Sequence, residues 1–358
     1  YIADGKNGLV VVNVDKIGKP TKSSTGNISQ VGRYDTAGDA YDVYVQGSYA
    51  YVADGGNGLV IIDISNPKNP IQVGRYDTAG YARGVYIQGN YAYVADEGNG
   101  LVIIDISNPK SPVQVGWYDT YDALGVYIQG SYAYVADEWN GLVIIDISNP
   151  KNPIRVGGYG TYRAHGVYVQ GSYAYVADRS NGLVIIDISN PKSPTQVGRY
   201  DTYRAYGVYV QGSYAYVADD DYGLVIIDIS NPKSPTQIGR YDTAGYAVGV
   251  YIQDNYAYVA DYNNGLVIID ISNPKNPIQV GRCDTAGYAR GVYVQGNYAY
   301  VADGDNGLVI IDISPFVQPP TGKVDVGPAR RIKVNGNYAY IINSGLSVFD
   351  VSDPKFPF

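Results

Sequence analysis

The chain has 358 residues, 45% of them hydrophobic, with 26 Lys and Arg against 34 Asp and Glu, a net charge of −8, one Cys, one His and no Met. That balance has the wrong sign for a binder of phosphate backbones, so no nucleic acid is expected as a partner. No run approaches the ~20 apolar residues of a membrane helix, so no direct membrane insertion is expected, and a lone thiol builds neither a disulfide framework nor a cysteine metal centre.

The scarcity of Cys and Met suits an oxidising exterior, since both are easily oxidised. No signal-like leader opens the chain, which starts at Tyr1 inside a repeat, so a mature product or an excised piece is expected.

In chain order, an imperfect Tyr1-Ile2-Ala3-Asp4 comes first, and YVAD then recurs with its aspartates at Asp54, Asp96, Asp137, Asp178, Asp219, Asp261 and Asp303. The spacing is 41 or 42 residues throughout, and a degenerate copy follows at Tyr340-Ile341-Ile342-Asn343. Such a period overrides the two or three domains that length alone suggests. One unit holds four extended segments: A (Gly84 to Gln88), B (Tyr91 to Ala95), C (Leu101 to Ile106) and D (Val113 to Tyr118). Val, Ile and Tyr fill them, and Gly, Asn, Asp and Pro separate them, as in strands joined by tight turns. Segment C is apolar without alternation, so both of its faces must be covered. An isolated sheet cannot do that, whereas sheets stacked around an axis cover one another.

The expected fold class is therefore all-β, a β-propeller in a single domain over residues 1–358, with 1–40 and 315–358 as divergent closing segments. The N-terminal part supplies strands B, C and D, seven complete units follow, and the C-terminal part supplies A, B and C. That count points to eight four-stranded blades, the last pairing strands from both chain ends; a ninth, incomplete blade is the alternative.

In such a meander the D-to-A and B-to-C connections share one face. The opposite connections, Gln-Gly-Ser/Asn and Ser-Asn-Pro-Lys, barely change between units, whereas the D-A/B-C face changes in almost every copy. Just before strand A stand Tyr41, Arg83, Leu124, His165, Tyr206, Val248, Arg290 and Arg330, a set expected to ring the mouth of a central channel. Arg163 and Arg204 flank it, and the B-to-C turn adds Trp139 among others. Aromatic and Arg residues on a variable loop face suit recognition. Candidate ligand-binding residues are thus Arg83, Leu124, Trp139, Arg163, His165, Arg204, Tyr206, Arg290 and Arg330. Three consecutive units have a shorter D-to-A loop, so a depression is expected on the arc with Trp139, Arg163, His165 and Arg204.

Other motifs read as structure. The repeated Asp-x-x-Asn-Gly lacks the bidentate Glu and alternating oxygens of a calcium loop and fits a capped tight turn. Asp105 and its equivalents read as caps of the Ser-Asn-Pro turn. A single His, His165, rules out a multi-His metal centre, and no G-x-S-x-G elbow accompanies it. No catalytic residues, metal or cofactor are expected. The recurring Tyr86, Tyr91 and Tyr93 read as packing between blades.

The string Leu101-Val102-Ile103-Ile104-Asp105, repeated as LVIID in seven units, resembles the LVIVD-repeat family, and strand order with YVAD is similar to the YVTN group of surface-layer propellers. The resemblance implies an extracellular or surface-attached protein of binding or adhesion function. The expected function is non-enzymatic recognition of a protein or glycan through the D-A/B-C face by a monomer at the cell surface. The alternatives are a channel-mouth metal-binding or hydrolytic domain using His165 and Asp122, and a purely structural spacer.

Overall fold

The apolar third segment dictates the architecture. The computed structural model describes residues 2–4, 8–10, 28–317, 331–335, 338–342 and 346–350. In it each LVIID run is strand C of a four-stranded antiparallel sheet whose strands follow the order A-B-C-D. Blades 1 to 6 span residues 42–76, 81–118, 123–159, 164–200, 207–241 and 249–283. Strand C buries both faces as its pattern requires. Leu59 and Ile61 of blade 1 pack with Val102 and Ile104 of blade 2, whereas Val60 and Ile62 pack with Leu308 and Ile310 of the last blade. All eight are 0% exposed, and each such side chain contributes about 1.5–3 kcal/mol on leaving water.

Seven blades close the ring, not the eight expected. Blade 7 consists of Gly291–Gln295, Tyr298–Ala302 and Leu308–Asp312, with Ser29–Tyr34 as its fourth strand. The N-terminal strand does close the ring, but against the seventh unit and not against C-terminal strands. The register runs from Ser29 opposite Asp312 to Tyr34 opposite Leu308. The reason is in the residues: Ser29-Gln30-Val31-Gly32-Arg33-Tyr34 repeats the D-strand pattern of Ile71–Tyr76. After Asp312, by contrast, the chain makes a 3-10 turn, Ser314–Phe316, built on a proline that cannot donate to a ladder.

This propeller unit covers Asn27–Ser314, and a second compact unit comprises Tyr1–Gly26 with Pro315–Phe358. The second unit holds the remaining terminal strands: Ile2–Asp4 pairs antiparallel with Gly8–Val10, and Arg331–Asn335, Tyr338–Ile342 and Leu346–Asp350 form a three-stranded antiparallel sheet.

Polar bonds between blades account for the constancy of the turns opposite the D-A/B-C face. Gln at the end of strand A donates to the A-B turn glycine of the next blade, as Gln88 to the Gly130 carbonyl at 3.1 Å. Gln295 donates to the Gly47 carbonyl at 2.9 Å, across the closure. The D-strand glycine is fixed by a close approach: a Cβ on Gly74 would lie 1.9 Å from the Pro109 carbonyl oxygen of blade 2. In the C-D turn, Asp105 accepts from the Ser107 amide at 2.8 Å, as a capping carboxylate should.

The YVAD aspartates are fully buried and bind the D-A connection into the next blade. Thr78 donates to Asp96 at 2.6 Å while Asn99 donates to the same carboxyl at 3.0 Å. In the short-loop blade 3, Asp137 accepts instead from the Asp122 and Asn140 amides, and the Thr120 hydroxyl has no hydrogen-bond partner among the described residues. Thr78→Val should therefore cost about 1.5–3 kcal/mol, the worth of a hydrogen bond to a charged group. Thr120→Val should stay within about 0.5 kcal/mol of the parent. Denaturant melts of the two variants check this, and equal losses would contradict it.

Candidate functional site

Strand A of every blade lies innermost, so residues at equivalent positions form rings around the axis. The first ring, one residue per blade, is Tyr41, Arg83, Leu124, His165, Tyr206, Val248 and Arg290, and all seven line one axial cavity of about 770 Å³. One step along strand A comes glycine in six blades. A Cβ there would press on the next blade, as on Gly125, where it would come 2.7 Å from the His165 carbonyl. Blade 1 alone carries a side chain, Asp42. Its carboxylate accepts from the Val43 and Val85 amides at 2.9 and 3.0 Å, and desolvation pushes it up to about 7 against those two bonds.

Beyond the valines that follow, seven tyrosines form a collar: Tyr44, Tyr86, Tyr127, Tyr168, Tyr209, Tyr251 and Tyr293. Every neighbouring pair of rings is in contact, at 4.7 to 5.2 Å between centroids. Their hydroxyls hydrogen-bond in a closed circuit. Burial and the neighbouring phenols raise Tyr251 to about 12 and Tyr86, Tyr168 and Tyr293 further still, so these four phenols stay neutral. Tyr93 packs between blades as expected, and Tyr86 and Tyr91 lie against the same inter-blade cluster.

Side chains of the B-C turns reach the cavity from above: Glu97, Glu138, Arg179, Asp220, Asp221 and Tyr262. Two of them sit in left-handed backbone, Asp220 at φ 50° and Tyr262 at φ 41°, where blades 1 and 7 have Gly55 and Gly304. A side chain there costs about 1–2 kcal/mol relative to glycine, and in both cases it faces the funnel.

The charges are arranged in pairs and stacks. Arg83 pairs with Glu97, Arg204 with Asp220 at 3.4 Å, and Arg163 with Glu138 at 4.0 Å. Arg83 and Arg290 both lie over the Tyr41 ring, each 4.1 Å from its centroid. Arg179 stacks on Tyr206 at 4.8 Å and bonds its hydroxyl. Arg290 forms no ion pair among the described residues, and its Nε lacks a hydrogen-bond partner. His165 meets Tyr206 edge-on at 4.8 Å and donates to the Tyr206 carbonyl. Desolvation, aided by the charges of Arg179 and Arg83, pushes it down to about 3. The imidazole is therefore neutral at physiological pH and a weak proton acceptor. Among the described residues no three His, Cys, Asp or Glu side chains come together as metal ligands would.

Of the residues singled out from sequence, Arg83, Leu124, His165, Arg204, Tyr206 and Arg290 line the funnel. Trp139 and Arg163 do not. Trp139 is 53% exposed beside the mouth, with the Arg163 guanidinium 5.5 Å from its ring and its indole bonded to Asp122. Arg330 lies outside the described residues. The hollow is axial and not on the short-loop arc. In blades 3 and 4 strand A begins early, at Ala123 and Ala164, opposite Asp137 and Asp178; it does so also at Tyr81 in blade 2, whose connection is not shortened, whereas short-loop blade 5 starts at Gly207. Asp42 was missed, although the repeats announce it as the one acid in a column of glycines; Arg179, Asp220 and Tyr262 were visible as turn variants.

The LVIVD-repeat model matches residues 1–36, 37–78, 79–120, 122–161, 163–202, 204–243, 244–285, 286–319 and 326–358. No curated protein matches the chain in sequence. Among solved structures, the chain is similar to the WD40 β-propeller domain of Doa1, with TM-score 0.64, 9% identity, and 80% of this chain and 97% of that one covered. It is similar also to YCF48 bound to D1 peptide, at 0.60 and 10%, covering 85% and 97%. BamB from Moraxella catarrhalis aligns at 0.53 and 15%, covering 76% and 81%.

Proposed function

Since the chain belongs to the LVIVD-repeat family along nearly its whole length, we propose that this propeller is a recognition module. It binds a protein or glycan partner through its D-A/B-C face, outside the cell or at its surface. One observation carries the reading: Tyr121, Trp139, Tyr162, Tyr203, Tyr246 and Tyr288 are all 41–67% exposed on connections of that face, around the funnel. Soluble surfaces rarely group large aromatic rings without a partner, and such rings with Arg are the usual anchors of binding. Constancy of the opposite turns lends no support, because inter-blade bonds already explain it. The peptide in the YCF48 complex shows that a propeller of this general shape binds a protein segment.

Trp139→Ala with Arg163→Ala should abolish capture of the partner identified by a glycan and surface-protein array. Truncating an anchor of this kind costs about 2 kcal/mol or more, roughly thirty-fold in affinity. The melting temperature should hardly move, because both side chains are on the surface. Undiminished binding by the double variant would remove this face from the reading.

A further inference from the structure

The funnel lining carries both signs of charge in balance. Arg83, Arg179, Arg204 and Arg290 face Glu97, Glu138, Asp220 and Asp221, and Asp42 is half-neutralised near neutral pH. An anion would meet the carboxylates and a cation the guanidiniums, so neither gains from entering. The cavity also has an aliphatic band, Leu124 and Val248 in the rim ring with Val126, Val167, Val208, Val250 and Val292 below it, which suits the C–H face of a ligand whose polar groups are held above. What the wall offers is fixed donors beside fixed acceptors, separated by phenol rings. Guanidinium has five N–H donors and carboxylate about four acceptor sites, so the ion pairs Arg83–Glu97 and Arg204–Asp220 leave most of that capacity unused. Arg290 has no ion pair among the described residues and presents its fork beside Tyr41.

We infer that the funnel seats the terminal ring of a neutral saccharide, its adjacent hydroxyls bridging Arg290 and the acceptor side chains while a ring face lies on a phenol of the rim. Each sugar hydroxyl both donates and accepts, which matches a wall of alternating donors and acceptors and no net charge. The space, about 770 Å³, falls within the range of small-ligand sites. The strained Asp220 and Tyr262 fit the same role, since each holds a polar side chain over the funnel at a position where two other blades keep glycine. This inference deepens the proposed recognition function and rests on it by naming what enters the axis.

The test titrates methyl glucopyranoside, galactopyranoside and mannopyranoside into the intact chain by calorimetry and NMR, with glucuronate and an acetylated glutamate peptide as charged comparators. At least one neutral glycoside should bind saturably, in the millimolar range. Arg290→Ala and Asp220→Asn should each weaken it about tenfold or more, with melting temperatures confirming folded variants. Trp139→Ala, outside the funnel, should leave it unchanged. Binding of the charged comparators alone, or glycoside binding indifferent to both funnel variants, overturns the saccharide seat. If an array partner depends on Trp139 and Arg163 while no glycoside enters, the seat fails and the recognition face stands; if nothing binds in either assay, both fall.

Discussion

Gly32→Val should open the propeller at its one non-covalent seam. A Cβ on Gly32 lies 1.9 Å from the Pro67 carbonyl oxygen of blade 1, and a backbone oxygen in a hydrogen-bonded turn cannot yield by that much. Overpacking of this kind costs about 3 kcal/mol. Strand Ser29–Tyr34 can escape the clash by leaving, because it pairs with Leu308–Asp312 across 274 or more residues of chain. Its amides should then lose roughly a hundredfold of their hydrogen-exchange protection. The freed edge of Leu308–Asp312 should drive association at high concentration. Gly116→Val supplies the control. Its Cβ meets the Pro150 carbonyl at the same 1.9 Å, but strand Val113–Tyr118 is joined along the chain both to strand C of its own blade and to strand A of blade 3. Gly116→Val should lower the melting temperature without opening the ring. Equal protection of residues 29–34 in the first variant and 113–118 in the second would show that the N-terminal strand is no weaker a closure than a continuous one.

That seam also marks where reading the sequence succeeds and where it stops. Strand positions, the double-sided burial of Leu101 to Ile104 and the grouping of connections by face all follow from period and polarity, which are local. Blade number does not. Counting seven complete units between B, C and D strands at one end and A, B and C strands at the other pointed to eight blades, although the D pattern Gln-Val-Gly-Arg-Tyr occurs at 30–34 and is absent after Asp312. A repeat proves interchangeable strands; it does not say which copy fills a vacancy.

The rim ring was legible for the same reason as the strands, since it occupies one fixed position in the repeat. Its convergence on a single axial cavity was not, because a hollow made by seven chain segments depends on the closing radius. The tyrosine collar illustrates this. Tyr86 reads as packing in any one unit, and only closure brings Tyr293 within 4.7 Å of Tyr44 and completes the hydroxyl circuit.

The second large effect is on pH dependence. Asp54, Asp261 and Asp303 are fully buried, and desolvation pushes their carboxyls up to about 6, only partly offset by Thr and Asn donors. Asp42 reaches about 7, and Asp96 and Asp219 move in the same direction. In the unfolded chain each ionises near its ordinary value of 3.8. The fold therefore binds these protons more tightly than the unfolded chain does. Below about pH 4 both states are protonated and the advantage is fully present. It is lost as the pH rises through the folded values, and stability levels off once the native carboxyls have themselves ionised. Exposed turn carboxylates such as Asp105 and Asp146 act oppositely: Ser hydroxyls and amides hold them low, so their contribution disappears below about pH 4. Stability should peak at about pH 4–5. A pKa unit corresponds to about 1.4 kcal/mol, so four buried groups at half weight lower stability by roughly 5 kcal/mol between that peak and pH 8. The net charge of −8 adds repulsion in the same sense. Asp42→Gly, which restores the residue of the other six blades, should regain part of the loss at pH 8 and nothing at pH 4.5. Guanidinium melts at pH 4.5, 6 and 8 decide the matter: a stability that is flat or rises toward pH 8 means these carboxyls are ionised in the fold at ordinary values, and the burial argument for them is wrong.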